Sequence, residues 1–460
     1  PEWCGDADSG AAALLDAVAD RLIQLGGIDA GYIESFTDGY QEFRDSVRDS
    51  AANLPAQAKS EILKAAGLLA GRKIALVLGP DIFERECGES IFNAAFNLAL
   101  ATGGIGAENA GFFVPIAENN LAGSLDMGSA PDLLPGRCSI ADDGARKAFE
   151  RHWHTQLSPA PGLDLPEVIE AAEKGSLRGL YIMGENLARM LPDSTRVENA
   201  FKKLDFIVVQ DIVHNSTIDL AHLVLPGAAF AEKAGSFTNM EGRIQAFSEV
   251  VAPPGNALPD WKILSLLAKK MGHVEHYDTV DEIRQEIRRA VPLYRNLGSH
   301  RREWLENAGA GTPFAPGGPK FSFIISKAPA STRPDEQYPF TALIGPLHWH
   351  AGGGTRTRRS ARISSCVRHG NVEICPEDVR ILGLTEKDGI RVESRAGAIE
   401  RGYSIHHGLP RGRVFVPQGF QRNDVMNLVE LEGLKWPYPG WRTCRVKISK
   451  IECRSHLDAT

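Results

Sequence analysis

Residues 179–227 read GLYIMGENLARMLPDSTRVENAFKKLDFIVVQDIVHNSTIDLAHLVLPG. Three short, nearly all-apolar runs stand out: Leu180–Met183, Phe206–Val209 and Leu223–Leu225. Such runs are typical of strands covered on both faces. Helical stretches are predicted between them, around Val197–Lys203 and Thr217–Ala221. The order is β-α-β-α-β, which specifies an α/β fold with a parallel sheet and right-handed crossovers. Each run also ends in a small or polar cluster: Gly184-Glu185-Asn186, Gln210-Asp211 and Pro226-Gly227. Ligands of open α/β sheets lie beyond the carboxyl ends of the strands. Glu185 and Asn186 therefore suit a base or a sugar, and Asp211 suits the donor edge of a guanine. Helix capping is the competing role for Asn186 and Asp211. The repetition of such ends at one sheet edge favours a ligand.

Outward from this unit, residues 11–25 carry apolar side chains at helical spacing and stop at Gly26-Gly27. Lys73–Leu78 reads as a doubly covered strand feeding a helix over Gly88–Ala101, and residues 104–176 read as a loop-rich insertion. Ala231–Gln245 is either an ordered loop at the ligand edge or a surface connection. Amphipathic helices are predicted over Pro259–Gly272 and Thr279–Ala290, and the Gly/Pro-rich stretch Asn307–Pro319 reads as linker. Beyond it, Phe340–Ile344, Val372–Ile374, Ile390–Ser394, Ala398–Ile405 and Arg413–Val416 are short strand candidates that fit a closed or nearly closed β-barrel. The expected organisation is a helical segment at 1–70, a nucleotide-binding α/β domain at 71–294 carrying the insertion, a linker at 295–338 and a barrel domain at 339–455.

Composition narrows the function. The 460 residues hold 51 Lys+Arg against 58 Asp+Glu, a net charge of −7, whereas a general nucleic-acid binder carries a basic excess. No stretch nears the roughly 20 apolar residues of a membrane span. The seven cysteines, at 4, 87, 138, 366, 375, 444 and 453, form no CxxC or CxxxC pattern, so neither an iron–sulfur ligand run nor a zinc ribbon is encoded. The chain opens at Pro1, without Met or a targeting peptide, as a piece of a longer polypeptide or a processed product would. No Walker A sequence and no complete GxGxxG follows a strand candidate, which argues against ordinary ATP or NAD sites.

Against this acidic background, His348–Arg368 reads HWHAGGGTRTRRSARISSCVR and carries Arg356, Arg358, Arg359, Arg362 and Arg368, with no Asp or Glu from Gln337 to Val372. Arginines beside the run Gly352-Gly353-Gly354 suit a phosphate or pyrophosphate. A solvated basic loop, or an interface to an acidic partner, is the alternative. His348 and His350 alternate on a strand end and so point to opposite faces, which disfavours joint metal chelation. Asn427, an amide in an apolar run, is either a satisfied core amide or a heterocycle-binding group.

The segments YIMGEN, KKLDFIVVQDI and AHLVLPGAAFAEKAGSFTNMEGRIQ resemble the molybdopterin-dependent oxidoreductases, the family of formate dehydrogenase large subunits and of the complex I large peripheral subunit. TGGIGAENAGFFVPIAENNLAGSLDMG at 102–128, PDWKILSLLAKKMG at 259–272, ICPEDVRILGLTEKDGIRVESRAGAI at 374–399 and the Asn427 segment resemble the same family in the same order. The resemblance implies a Rossmann-like parallel-sheet region and a C-terminal double-psi barrel that binds a molybdopterin dinucleotide. It also implies a bis(molybdopterin guanine dinucleotide) carrying molybdenum or tungsten. By position, Gly184, Glu185, Asn186, Gln210 and Asp211 would face guanosine and ribose. His348, His350, Thr355, Thr357, Arg358, Arg359 and Asn427 would meet pterin and phosphates.

The sequence also departs from the family pattern. The four-cysteine cluster site, the Cys or selenocysteine metal ligand and the neighbouring catalytic His and Arg lie upstream of the matched region, so no catalytic residue and no metal ligand is assigned here. HAGGGTRTRRS stands where active formate dehydrogenases carry a Thr-Gly-Thr-Met run, and IAENN where they carry Gly-Gln-Asn-Asn. What the resemblance implies is the C-terminal part of a large subunit most like NAD-linked formate dehydrogenase. Its partners would be its own N-terminal region and iron–sulfur and NADH-dehydrogenase-type electron-transfer subunits, in the cytoplasm or on a membrane complex. The iron–sulfur cluster would lie on the absent N-terminal part or on a partner. The alternative is a pterin-free scaffold subunit of a complex I-like NADH dehydrogenase.

Overall fold

The computed structural model describes residues 10–451 except 49, 51, 53, 55, 80–81, 83–87, 107–108, 116–118, 241, 274–276, 292–293, 295–319, 326–335, 351, 368, 421–424 and 432–442. The linker stretch Asn307–Pro319 and Arg368 therefore fall outside the described residues. The chain forms two compact units and crosses between them more than once: Pro1–Pro159 with Ser236–Gln245 and Gln285–Thr332, and Ala160–Gly235 with Ala246–Arg284 and Arg333–Thr460.

The first unit packs the helices Gly10–Gln24, Ala56–Leu69 and Gly88–Ala101 around a core that includes Leu22, Ala66, Leu98 and Leu100. The first helix ends as its glycine pair predicts. Gly26 is left-handed at φ +64°, and the N–H groups of Gly26 and Gly27 bond back to the carbonyls of Ile23 (3.1 Å) and Leu22 (2.9 Å). This is the Schellman arrangement. Strand β1 (Ala75–Val77) pairs in parallel with β2 (Gly111–Phe113). The expectation of a doubly covered strand fails here: Val77 is 64% exposed and only Leu76 leans on the core cluster. A pair of three-residue strands has one covered side. Residues 104–176 are also more ordered than expected, with helices Leu121–Asp126, Asp143–Trp153 and Leu165–Glu173. Their periodicity is faint because the first buries only Gly123 and Asp126, the second only Phe149 and the third only Ile169 and Ala172. Caps set the ends of the last two: the Asp142 carboxylate accepts from two backbone N–H groups, and Asp164 with Glu167 closes a capping box.

The second unit contains the predicted parallel sheet. Strands β3 (Gly179–Met183), β4 (Phe206–Asp211) and β5 (Leu223–Pro226) lie side by side in that order, all parallel. The helix Ser194–Phe201 seals one face, burying Val197, Ala200 and Phe201 against Ile182, Ile207 and Val209. The second crossover differs from expectation. It holds a single 3-10 turn, Ile218–Leu220, not an α-helix, since only eleven residues join β4 to β5 and a side-chain cap pins their middle.

The rest of this unit is a seven-stranded sheet. Its strands are β6 (Phe340–Pro346), β7 (Val372–Ile374), β8 (Gly389–Glu393), β9 (Ala398–Arg401), β10 (Tyr403–Ile405), β11 (Arg413–Gln418) and β12 (Thr443–Ile451). Their order across the sheet is β9-β8-β12-β6-β11-β7-β10. The two edge strands are consecutive in the chain, with Gly402 alone between them. Laid flat, six inter-strand gaps of about 4.8 Å would hold those edges about 29 Å apart, so the sheet must curl into a barrel. The predicted single strand Ala398–Ile405 is thus two. β9 pairs with β8, the Gly402 carbonyl takes the Val372 N–H at 3.0 Å, and β10 continues along β7. β12, the longest strand, escaped the sequence reading, although Cys444, Val446 and Ile448 alternate inward along it.

Ile374 is fully buried at the centre of the barrel. Ile374→Ala is expected to lower stability by about 2–5 kcal/mol, read as an earlier urea midpoint at unchanged slope.

Candidate functional site

In the second unit, the chain leaves β3 through Gly184, whose φ of +73° bends the backbone while its N–H holds the Gln210 carbonyl at 2.8 Å. Asn186 follows, 6% exposed, at the start of the short helix Leu187–Met190. Its Oδ1 accepts from the backbone N–H (3.2 Å) and hydroxyl (3.0 Å) of Thr217, and its Nδ2 donates to Thr355 Oγ1 at 2.9 Å. Three residues on, buried Arg189 donates from Nε to the Gly353 carbonyl at 3.2 Å. Two hydrogen bonds thus join the strand-end segment to the glycine–arginine loop after β6.

That loop is shaped by backbone contact. Gly354 has φ +71° and lies against Gly419, so a Cβ there would fall well inside contact distance of the Gly419 carbonyl oxygen. The glycine run therefore serves close packing. Past it, the 3-10 turn Thr357–Arg359 leads into the helix Ala361–Cys366, capped by Ser360. Arg359 donates to the His214 carbonyl.

These elements enclose a cavity of about 520 Å³. Asn186, Arg189, His214, Asn215, Ser216 and Asp219 line it from the sheet side, and His350, Thr355, Arg358, Arg359, Ser364, Val367 and Phe420 from the barrel side. Three guanidinium groups reach it. Among the described lining residues the one carboxylate is Asp219, which His214 faces at 3.3 Å. Arg358 Nε is buried without a hydrogen-bond partner among the described residues. Burial, and then the neighbouring Arg359 charge, lower the Arg358 pKa below its ordinary value. A desolvated cation with an idle donor is unfavourable until an anion meets it. His350, 3% exposed, bonds Thr357 Oγ1 through Nδ1 at 2.9 Å and sits edge-on to Phe420 at 5.2 Å. Its pKa is lowered by burial first and by the Arg358 charge second, against an opposing backbone hydrogen bond with Val367.

Five of the residues singled out from sequence line this cavity: Asn186, His350, Thr355, Arg358 and Arg359. The others take different places. Thr357 holds His350, and His348 is exposed, edge-on to Trp349. Gly184 and Glu185 are exposed. Gln210 is fully buried, accepting from Tyr181 and donating to Asp260 Oδ1 at 2.6 Å. The Asp211 carboxylate accepts from Asn215 Nδ2 (2.7 Å) and the Ile212 N–H (2.6 Å). Asn427 Oδ1 accepts from Ser194 Oγ and the Thr195 N–H, both at 2.9 Å, and so caps the helix Ser194–Phe201. Arg189, His214, Asn215, Ser216, Asp219, Ser364, Val367 and Phe420 were not anticipated. Only Arg189 had a sequence signal, its spacing of three from Asn186 on a helical turn. Among the described residues no group of three or more His, Cys, Asp or Glu side chains is arranged to hold a metal ion.

Residues 22–270 match the family model described as molybdopterin oxidoreductase, and residues 341–433 match the molydopterin dinucleotide binding domain. The chain belongs to the molybdopterin oxidoreductase family. It is 33% identical to the F420-dependent formate dehydrogenase subunit alpha of Methanocaldococcus jannaschii, over 95% of this chain and 68% of that one. It is 30% identical to the NADPH-Fe(3+) oxidoreductase subunit alpha of Geobacter sulfurreducens, over 84% of this chain and 44% of that one. The acetylene hydratase of Pelobacter acetylenicus shares the fold, with a TM-score of 0.71 at 17% identity over 96% of this chain and 70% of that one. This molybdopterin oxidoreductase large-subunit chain has, among its described residues, no helix long and apolar enough to cross a membrane.

Two outcomes follow from the loop geometry. Gly354→Ala is expected to cost more than about 2 kcal/mol in thermal unfolding, combining a left-handed backbone with a backbone clash. Because native His350 binds its proton less readily than the unfolded chain, whose ordinary value is 6.5, its contribution to stability is complete above that pH and is lost as pH falls below it. Unfolding midpoints from about pH 7.5 to about pH 5.5 should therefore fall less steeply in His350→Gln than in the parent.

Proposed function

We propose that this chain clasps the pyrophosphate of a bis(molybdopterin guanine dinucleotide), carrying molybdenum or tungsten, as the C-terminal part of a formate dehydrogenase large subunit. The observation that carries this reading is Arg358, whose buried Nε has no hydrogen-bond partner among the described residues and which stands beside a second arginine in the polar cavity. The residues present fit the group. Arg358, Arg359 and the Asn186 amide supply donors, and the described lining offers one carboxylate against three guanidinium groups. When bound, the cofactor supplies the metal and the redox chemistry. The chain binds, orients and shields. Arg358 and Arg359 would hold phosphate oxygens, each charge-assisted bond contributing roughly 1.5–3 kcal/mol. Uncharged His350 would keep Thr357 and the loop in place without adding a titrating charge near neutral pH. Gln210, Asp211 and Asn427 would hold the strand ends and the capped helix that frame the site. Gly184 and Glu185, exposed at the same sheet edge, would face guanosine and ribose, and exposed His348 would meet the cofactor from the barrel side.

Formate as substrate rests on the formate dehydrogenase alpha subunits among the relatives. Those relatives are named as alpha subunits, which supports partner subunits, and for this chain those would be of the iron–sulfur and NADH-dehydrogenase type. The relatives named F420-dependent and NADPH-linked support an acceptor chosen by the partner, with NAD one such acceptor.

Replacing Arg358 and Arg359 together with Ala is expected to abolish cofactor retention, measured as guanine nucleotide released per chain on denaturation, while circular dichroism stays unchanged. Retained nucleotide would overturn the assignment. Metal analysis of the parent should find molybdenum or tungsten in stoichiometric amount. A folded protein without either metal or pterin would favour the scaffold role of a complex I-like enzyme.

A further inference from the structure

We propose that Thr217 is a positioning residue that fixes which face of the Asn186 amide the cavity sees, and so makes this wall of the site a donor to anions. This rests on the reading that the cavity holds a pyrophosphate. Thr217 is fully buried and does not line the cavity. Its backbone N–H can only donate, so the Asn186 atom it meets at 3.2 Å must be the oxygen. The Thr217 hydroxyl donates to the same oxygen at 3.0 Å while accepting from the Ala188 N–H at 3.0 Å, so both its roles are taken. With two donors on Oδ1, an Asn186 amide turned over would set its NH2 group against the Thr217 N–H and leave the Thr217 hydroxyl hydrogen without its acceptor, a cost that a buried site enforces. The Asn186 Nδ2 is thereby committed to the other side. One of its hydrogens goes to Thr355 Oγ1, and the second is left for the cavity beside Arg358 and Arg359. A turned amide would present a carbonyl oxygen there and repel phosphate.

Thr217 is itself held from behind. Asn215 Oδ1 accepts from the Thr217 N–H at 3.0 Å, and the Asn215 amide is in turn oriented by the Asp211 carboxylate at 2.7 Å. Asp211 thus acts on the Asn186 amide through Asn215 and Thr217. The relay explains why a 3-10 turn, tight enough to aim two donors at one atom, stands where a longer helix was expected.

The test uses full-length protein produced without molybdopterin synthesis and titrated calorimetrically with inorganic pyrophosphate. Thr217→Val, which keeps shape but removes the hydroxyl, is expected to weaken binding about tenfold, and Thr217→Ser to stay within about threefold of the parent. In an Asn186→Ala background, Thr217→Val should add less than about twofold, because the amide it orients is gone. A role in stability alone would weaken both backgrounds equally and overturn the proposal, as would unchanged binding by Thr217→Val. If Thr217→Val does not fold, Asn186→Asp decides: it keeps the oxygen that Thr217 holds and replaces the donor with a carboxylate, so binding equal to the parent overturns the proposal. No pyrophosphate binding by the parent would overturn the cavity reading itself, a result distinct from parental binding that Thr217→Val leaves intact.

Discussion

Two hydrogen bonds join parts of the chain more than 160 residues apart in sequence: Asn186 to Thr355 and Arg189 to Gly353. Each is modest alone, since a neutral hydrogen bond contributes only about 1 kcal/mol net. Their effect comes from position. They tie the mouth of the parallel sheet to the arginine loop of the barrel, and the cavity exists only where both are in register. Asn427 adds a second seam, because a barrel side chain caps a helix of the sheet region while the Met426 and Val429 carbonyls take the Asp193 N–H. Sheet and barrel within this unit therefore share helix termini as well as a cavity wall.

The charge distribution of the site follows from the same construction. The glycines let the loop backbone approach Gly419 and Met190, and Arg358, farther along the loop, has a buried Nε without a hydrogen-bond partner among the described residues. Burial then depresses the affinity of both Arg358 and His350 for their protons. The histidine yields and is uncharged near neutral pH. The guanidinium, with an intrinsic pKa too high to surrender its proton, remains a cation awaiting a counter-ion. A polar cavity whose lining is rich in donors and poor in carboxylates is arranged for an anion, in agreement with a family defined by a dinucleotide cofactor.

Local patterns made much of this legible. The three apolar runs that became β3, β4 and β5 could be located by their uninterrupted apolar character, although only the central β4 is buried on both faces and β5 leaves Leu223 and Val224 exposed. The arginine island was equally plain, as clustered charge without counter-charge is a property of composition. Other features had weak local signals. β12 alternates as a barrel strand should, but Arg445 and Lys447 stand between its inward residues and Lys450 breaks the alternation. The break at Gly402 depends on which neighbour is available on each side of it. The cavity wall at His214–Asp219 consists of polar residues that would suit any surface loop.

Sequence alone determined the family, the parallel sheet with its strand order in the chain, the presence of a barrel and a basic glycine–arginine loop. Each of these is written in residue type and spacing over short windows. Tertiary structure decided which of the twelve singled-out side chains meet in one cavity, and that Gln210, Asp211, Thr357 and Asn427 spend their hydrogen bonds on supporting other groups. It also decided that Arg189 faces the cavity and that Thr217, unremarked in the sequence, aims an amide. The reason is physical: a hydrogen-bonding side chain has the same chemistry wherever it stands, and only the packing of distant segments settles whether its partner is the protein or the ligand.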